Sequence, residues 1–170
     1  MGEVGILPPD ARVELIDGEI IDMAPIGSRH SAVVLQMSRL LQRAVGDAAL
    51  VAVQNPIALG DLSEPQPDIA LLAPREDFYR SAHPRAEDIF LVVEVAEASL
   101  RYDRDIKLPL YARHRIAEVW LVDLTNDQLV RCGGAAPDGY RAVARVAELT
   151  RVAPAALPAV AVDLSGVFSR

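Results

Sequence analysis

The chain has 170 residues, 51% hydrophobic and 24% charged, which sets it among globular proteins rather than disordered chains and gives it interior for one core. No apolar run approaches the roughly 20 residues of a membrane-spanning helix, MGEVGILPPDARVEL shows no basic-then-apolar secretory pattern, and the lone Cys132 excludes an internal disulfide or a cysteine-rich zinc site. A net charge of −7 excludes the strongly basic balance usual in nucleic-acid-binding chains.

One domain over 1–170 and a cytoplasmic, non-membrane location are therefore expected. In chain order, VELIDGEIIDM predicts a β-hairpin: two apolar-rich strands flank Asp17-Gly18, a pair suited to a type I′ turn. SRHSAVVLQMSRLLQRAVGD predicts an amphipathic helix, since Val33, Val34, Met37, Leu40, Leu41 and Ala44 recur at three- and four-residue spacing. Ser28 is placed to cap it and Gly46 to end it. ALVAVQNPIAL predicts a strand or bent strand pair interrupted at Pro56, and GDLSEPQ a loop. PDIALLAP and DIFLVVEVA read as buried strands, apolar on both faces, of the kind found in sheets covered by helices.

DRDIKLPLYARH reads as a helix that Pro109 should bend or shorten. EVWLVDL is a further buried strand with Trp120 in the core, and QLVRC with GYRAVARV a closing antiparallel pair. Cys132 reads as a small residue near a Gly-Gly turn, and the tail as Pro- and Ala-rich with a short terminal turn. The order predicts an α/β fold: a mixed sheet flanked by helices, with an N-terminal hairpin.

Three ionisable residues stand out. Asp68 opens a buried strand after Pro67, Glu94 lies inside the apolar run LVVEV, and Lys107 lies on the following helix. An unpaired carboxylate inside such a run costs several kcal/mol or must neutralise. Two carboxylates at a sheet end with an ammonium nearby suit metal-assisted phosphodiester cleavage, because Mg²⁺ takes hard oxygen ligands and keeps waters for chemistry. Read structurally, the same residues would be a strand-opening turn for Asp68, a pair with an arginine such as Arg101 for Glu94, and an i, i+4 pair with Asp103 for Lys107.

Charge is unevenly distributed. Residues 1–70 hold 10 acids and 4 bases, residues 75–115 hold 8 of each, and residues 116–170 hold 6 acids and 5 bases. An anionic substrate is best tolerated along the central segment, through Arg75, Arg80, Arg85, Arg101, Arg104, Arg113 and Arg115, or that segment is simply a solvated mixed-charge face. The 17 basic residues are 16 arginines and one lysine, Lys107. A chain so biased toward arginine has reason to keep a lysine where a compact ammonium is needed.

The ordered set ELIDGEI, PQPDIALLAP, FLVVEVAEASLRYDRDIKLPLYA and EVWLVDL resembles the Uma-type family of restriction-endonuclease-like proteins, in the PD-(D/E)XK nuclease superfamily. The resemblance runs from about Glu14 to Val130. It implies a restriction-endonuclease-like fold and a Mg²⁺- or Mn²⁺-dependent endonuclease acting on DNA. It puts the metal aspartate at Asp68, the glutamate at Glu94 and a backbone carbonyl ligand at Val95. The superfamily's usual lysine position holds Ala96, and the resemblance implies that Lys107 reaches into that space from the helix.

Where a Ser-Pro turn is common in the family, this chain has Glu97-Ala98. Glu19, His30 and Tyr111 are supporting candidates, whereas His83 and His114 read as surface residues without partners. A homodimer and weak, salt-sensitive DNA binding are expected. The rival readings are a catalytically inactive nuclease-fold module for nucleic-acid or protein binding, and a metal hydrolase of small phosphoesters.

Overall fold

The structure is a computed structural model and describes residues 12–169; the expectation of no leader falls on 1–11, outside the described residues. Strands β1 (Val13–Ile16) and β2 (Glu19–Asp22) pair antiparallel around Asp17 and Gly18. Both turn residues have left-handed φ, 52° and 85°, as a type I′ turn requires. Helix α1 (Ser28–Val45) buries Val33, Val34, Met37, Leu41 and Val45 on one stripe. Its N-cap is the extended Gly27 rather than Ser28, which already lies in the first turn, and no side chain caps it. Gly46, at φ 51°, ends it and donates its N–H to the Gln42 carbonyl.

Strands β3 (Leu50–Val53), β4 (Ile69–Leu72), β5 (Ile89–Ala96), β6 (Glu118–Asp123), β7 (Gln128–Ala136) and β8 (Gly139–Arg145) form a six-stranded sheet in chain order. β5 and β6 run parallel, and the other neighbours run antiparallel. A parallel pair needs a long crossover. Here it is α2 (Leu100–Tyr102), a π-helical turn (Asp103–Lys107) and α3 (Leu108–Arg113).

Pro109 does not end this helix. The wide turn before it, with the Leu108 N–H bonded to the Asp103 carbonyl, accommodates a residue that cannot donate to Asp105 and whose ring crowds that carbonyl. The segment after β3 is not a second strand, because Gln54 turns the chain at φ 52° before Pro56. The glycines after Cys132 lie within β7 rather than in a turn, and Cys132 is buried.

Side-chain alternation divides the sheet into two faces. Ile69, Leu71, Leu91, Val93, Val95, Trp120 and Val122 pack on α1 and on the tail residues Val152, Val162, Leu164 and Val167. Ala70, Leu72, Val92, Ala96, Val119 and Leu121 pack with Leu108, Leu110 and Tyr111 of the crossover. By the same alternation Asp68 and Glu94 belong to this second face. The tail is tied down by buried Glu118, which accepts from the Ala155 amide and pairs with Arg131 at 2.7 Å. Among the described residues no helix is long and apolar enough to cross a membrane.

Candidate active site

The β4–β5 ladder pairs Ile69 with Val93. One step beyond it, Asp68 and Glu94 are opposite residues on one face, where Cβ atoms stand about 4.5–5.5 Å apart. Past the ladder's end the Val95 amide has no β4 backbone partner, and it donates instead to Asp68 Oδ2 at 2.9 Å. Asp68 Oδ1 accepts from Gln54 Nε2 at 3.2 Å and from His30 Nε2 at 2.9 Å, the imidazole being the donor because a carboxylate only accepts. That bond, against the opposing effect of burial, raises the His30 pKa above its ordinary value. His30 arrives from the first turn of α1 and Gln54 from the positive-φ residue after β3, a strained conformation of the kind that gathers at functional sites.

Glu94 is 3% exposed. Its Oε1 accepts from the Tyr111 hydroxyl and lies 2.9 Å from Lys107 Nζ. Lys107, 4% exposed, also stands 3.0 Å from Glu14 Oε1, and Glu14 accepts the Gln66 amide at 2.7 Å. Asp103 is buried one turn before Lys107 and accepts from the Ser99 hydroxyl at 2.6 Å. Glu14, Glu94, Asp103 and Lys107 line a cavity of about 280 Å³ together with the loop Met23–Gly27 and Glu97, Ala98 and Ser99. The Tyr102 hydroxyl, buried on this wall, has no partner among the described residues.

Four buried carboxylates, Glu14, Asp68, Glu94 and Asp103, thus share one cavity with a single buried ammonium, Lys107. Burial pushes the Glu94 pKa up to about 8, the Lys107 charge pulling it back only in part. Burial opposes the charge of Lys107 too, but Glu94, Glu14 and Asp103 outweigh it and hold the ammonium protonated well above its ordinary range. The two directions agree: the site favours a charged lysine and a Glu94 carboxyl that keeps its proton to higher pH than usual.

Among the described residues, no group of three or more His, Cys, Asp or Glu side chains is gathered to hold a metal by itself. The set available is two carboxylates, Asp68 and Glu94, and the Val95 carbonyl, which in an extended strand points to the same side as the Val95 N–H, toward Asp68. Hard oxygens and an excess of buried carboxylates over buried ammonium groups fit a divalent cation that keeps most of its waters.

Asp68, Glu94, Val95, His30, Lys107 and Tyr111 are therefore brought together. Glu19 is not: it is exposed at the start of β2 and does not line the cavity. Glu14, on the other strand of the hairpin, stands at the site instead. The signal for it was the two-residue alternation of VELI, which puts Glu14 on the inward face with Ile16. Gln54 and Asp103 were also missed, Gln54 because only the positive-φ turn aims it.

Nor does the central arginine run line the cavity. Arg75, Arg104 and Arg113 pair with Asp77, Asp105 and Asp17, and the arginine on the lining is Arg12. Arg101 is exposed, so Glu94 is paired by Lys107 instead. Asp103 lies outside ion-pair distance of Lys107, and His83 stands 3.6 Å from Glu64 on the surface.

Over residues 3–165 the chain matches the model of the family Uma2, described as "Putative restriction endonuclease". Among solved structures it is similar to "a putative nuclease belonging to DUF820" from Anabaena variabilis ATCC 29413, with a TM-score of 0.72 and 17% identity, over 92% of this chain and 89% of that one. At that identity the likeness is one of fold. No curated protein matches the chain.

Proposed function

The chain belongs to the Uma2 family, and we propose that it is a Mg²⁺- or Mn²⁺-dependent endonuclease that hydrolyses DNA phosphodiester bonds. The observation that carries this reading is the buried constellation at the end of β4 and β5: Asp68 opposite Glu94, with Lys107 Nζ 2.9 Å from Glu94. Asp68, Glu94 and the Val95 carbonyl would hold the cation. When bound, it supplies polarisation of the phosphate and acidification of the attacking water.

The chain's own groups do the rest. The Lys107 ammonium, with three donors, spends two on Glu94 and Glu14 and keeps one to orient a water or offset charge on a phosphoryl oxygen. Tyr111 holds the Glu94 carboxyl by donating to Oε1, which would leave Oε2 for the cation. His30 and Gln54 hold Asp68 Oδ1, and the Val95 amide holds Oδ2, so Asp68 keeps one orientation. The acidic balance makes DNA binding weak and salt-sensitive. Two subunits in a homodimer would cut two strands.

The test is incubation of the full-length chain with supercoiled, single-stranded and branched DNA in Mn²⁺ and in Mg²⁺, with Asp68→Ala as control. Cleavage by wild type and none by the variant supports the reading. Activity on a generic phosphodiester and on no nucleic acid would move the assignment to a small-phosphoester hydrolase. No activity, with no specific Mn²⁺ affinity, would leave a binding module built on a nuclease fold.

A further inference from the structure

We infer that Glu14 is a positioning residue for Lys107, and that the β1–β2 hairpin is a working wall of the site. The hairpin is a separate two-stranded sheet, joined to the rest by contacts that include the isolated Leu15–Glu64 bridge, the Gly18 amide on the Leu62 carbonyl, Asp17 with Ser63 and Arg113, and Gln66 on Val13 and Glu14. Its strand alternation turns Glu14 and Ile16 inward, and Glu14 is 4% exposed. A carboxylate buried that deeply needs a partner, and it has two: the Lys107 ammonium at 3.0 Å and the Gln66 amide at 2.7 Å, both on Oε1.

Lys107 therefore lies between two carboxylates that come from different sheets. With Glu94 alone, the flexible four-carbon stem would let the ammonium settle anywhere around that carboxylate. Held also by Glu14, two of its three N–H bonds have fixed directions, and so does the third. Lys107 enters from the π-helical turn rather than from the strand that carries Glu94, and Glu14 meets it from the other sheet. The Gln66 amide fixes Glu14 in turn.

The catalytic consequence rests on the nuclease reading, but the positioning does not, and Lys107 being the only lysine makes it measurable. Protein labelled with ¹⁵N-lysine has one side-chain ammonium signal. Solvated ammonium protons exchange too fast to be seen near neutral pH, whereas buried, ion-paired ones persist. Glu14→Gln removes the charge and keeps an oxygen to accept the Gln66 amide; Glu14→Asp keeps the charge and withdraws it by one methylene.

The expected result is a sharp Lys107 signal in the wild type, shifted or lost in Glu14→Gln and intermediate in Glu14→Asp. Alongside it, kcat should fall about 10- to 100-fold, as for loss of a group that orients a catalytic one, with KM nearly unchanged. An unchanged signal in both variants overturns the positioning, whatever the activity. A shifted signal with wild-type kcat overturns its role in catalysis. If the wild type cuts nothing, the nuclease reading fails, and the signal alone decides whether Glu14 holds Lys107.

Discussion

Asp68 and Glu94 stand opposite each other one residue beyond the last backbone pair of β4 and β5, Ile69 and Val93. Because the ladder stops there, the Val95 amide is left for the Asp68 carboxylate, and what would be a continuing sheet becomes an acidic end. The cost of burying two carboxylates on one face is offset by a lysine, a tyrosine, a histidine and a glutamine drawn from four other segments. Each of these contacts carries a consequence that can be measured.

The first concerns the cation. Mn²⁺ should raise the melting temperature of the wild type and not that of Asp68→Ala. At a free concentration of 100 times Kd the gain is about 2.7 kcal/mol, or roughly 5–10 °C for a domain of this size. Without metal, Asp68→Ala should already be less stable, since it orphans the buried Val95 amide at a cost of about 1–3 kcal/mol. The comparison is therefore between shifts, by differential scanning fluorimetry with and without Mn²⁺. Equal shifts would mean that the ion binds elsewhere.

The second concerns pH. Glu94 has a pKa of about 8 in the folded chain against 4.5 as its ordinary value, raised chiefly by burial. The folded state then holds a proton that the unfolded state has lost, so this contribution to stability is full below about 4.5 and is lost as pH rises through about 8. The slope is about −1.4 kcal/mol per pH unit for one proton across that window. Urea midpoints of the metal-free protein should fall from pH 5 to pH 8 and fall less in Glu94→Gln. A divalent ion competes with the same proton, so calorimetry in buffers of different ionisation enthalpy should show proton release on Mn²⁺ binding at pH 7. Binding with no proton release would show Glu94 already ionised.

Much of this site was legible in the sequence because strand patterns are local. A carboxylate inside LVVEV and an aspartate opening IALL announce themselves against apolar neighbours, and the Asp17-Gly18 turn set the hairpin. What was missed depends on long-range register. Glu14 and Glu19 share one face of the hairpin, paired across the strands with Ile21 and Ile16, so alternation marks the face, while which of the two reaches the cavity depends on how the hairpin docks on residues 62–66. Gln54 counts only because its φ is positive, and Asp103 because the turn ahead of Pro109 is π-helical. The arginine-rich centre misled because nearby carboxylates absorb charges there within a few residues of chain, as in Arg75–Asp77 and Arg104–Asp105.

The third prediction concerns Tyr111. Its ring is fully buried and its hydroxyl donates to Glu94 Oε1. Tyr111→Phe keeps the packing and removes one buried hydrogen bond, costing about 1–2 kcal/mol of stability by urea denaturation. That bond favours the ionised carboxyl, so its loss should raise the Glu94 pKa and move the acid limb of the cleavage profile to higher pH. A profile that superimposes on the wild type, at any kcat, would show that Tyr111 only packs.

The last concerns Lys107→Arg. A pair with Asp103 on the helix surface would accept arginine freely, because guanidinium binds carboxylate at least as well. The lysine is instead buried between Glu94 at 2.9 Å and Glu14 at 3.0 Å. Arginine can still neutralise both, so the fold and most of the Mn²⁺ affinity should survive. Its larger planar head must fit between two carboxylates spaced for an ammonium, costing about 1–3 kcal/mol, the usual range for overpacking. Lys107→Met is the contrasting variant: it leaves the carboxylates without a counter-charge and should cost about 3–5 kcal/mol, as for other broken buried pairs. Cleavage should separate from stability. The planar fork cannot put a single N–H where the ammonium's third donor points, so Lys107→Arg should lose DNA cleavage by orders of magnitude while remaining the more stable of the two. An arginine variant that cuts as fast as the wild type would reduce Lys107 to a counter-ion for Glu14 and Glu94.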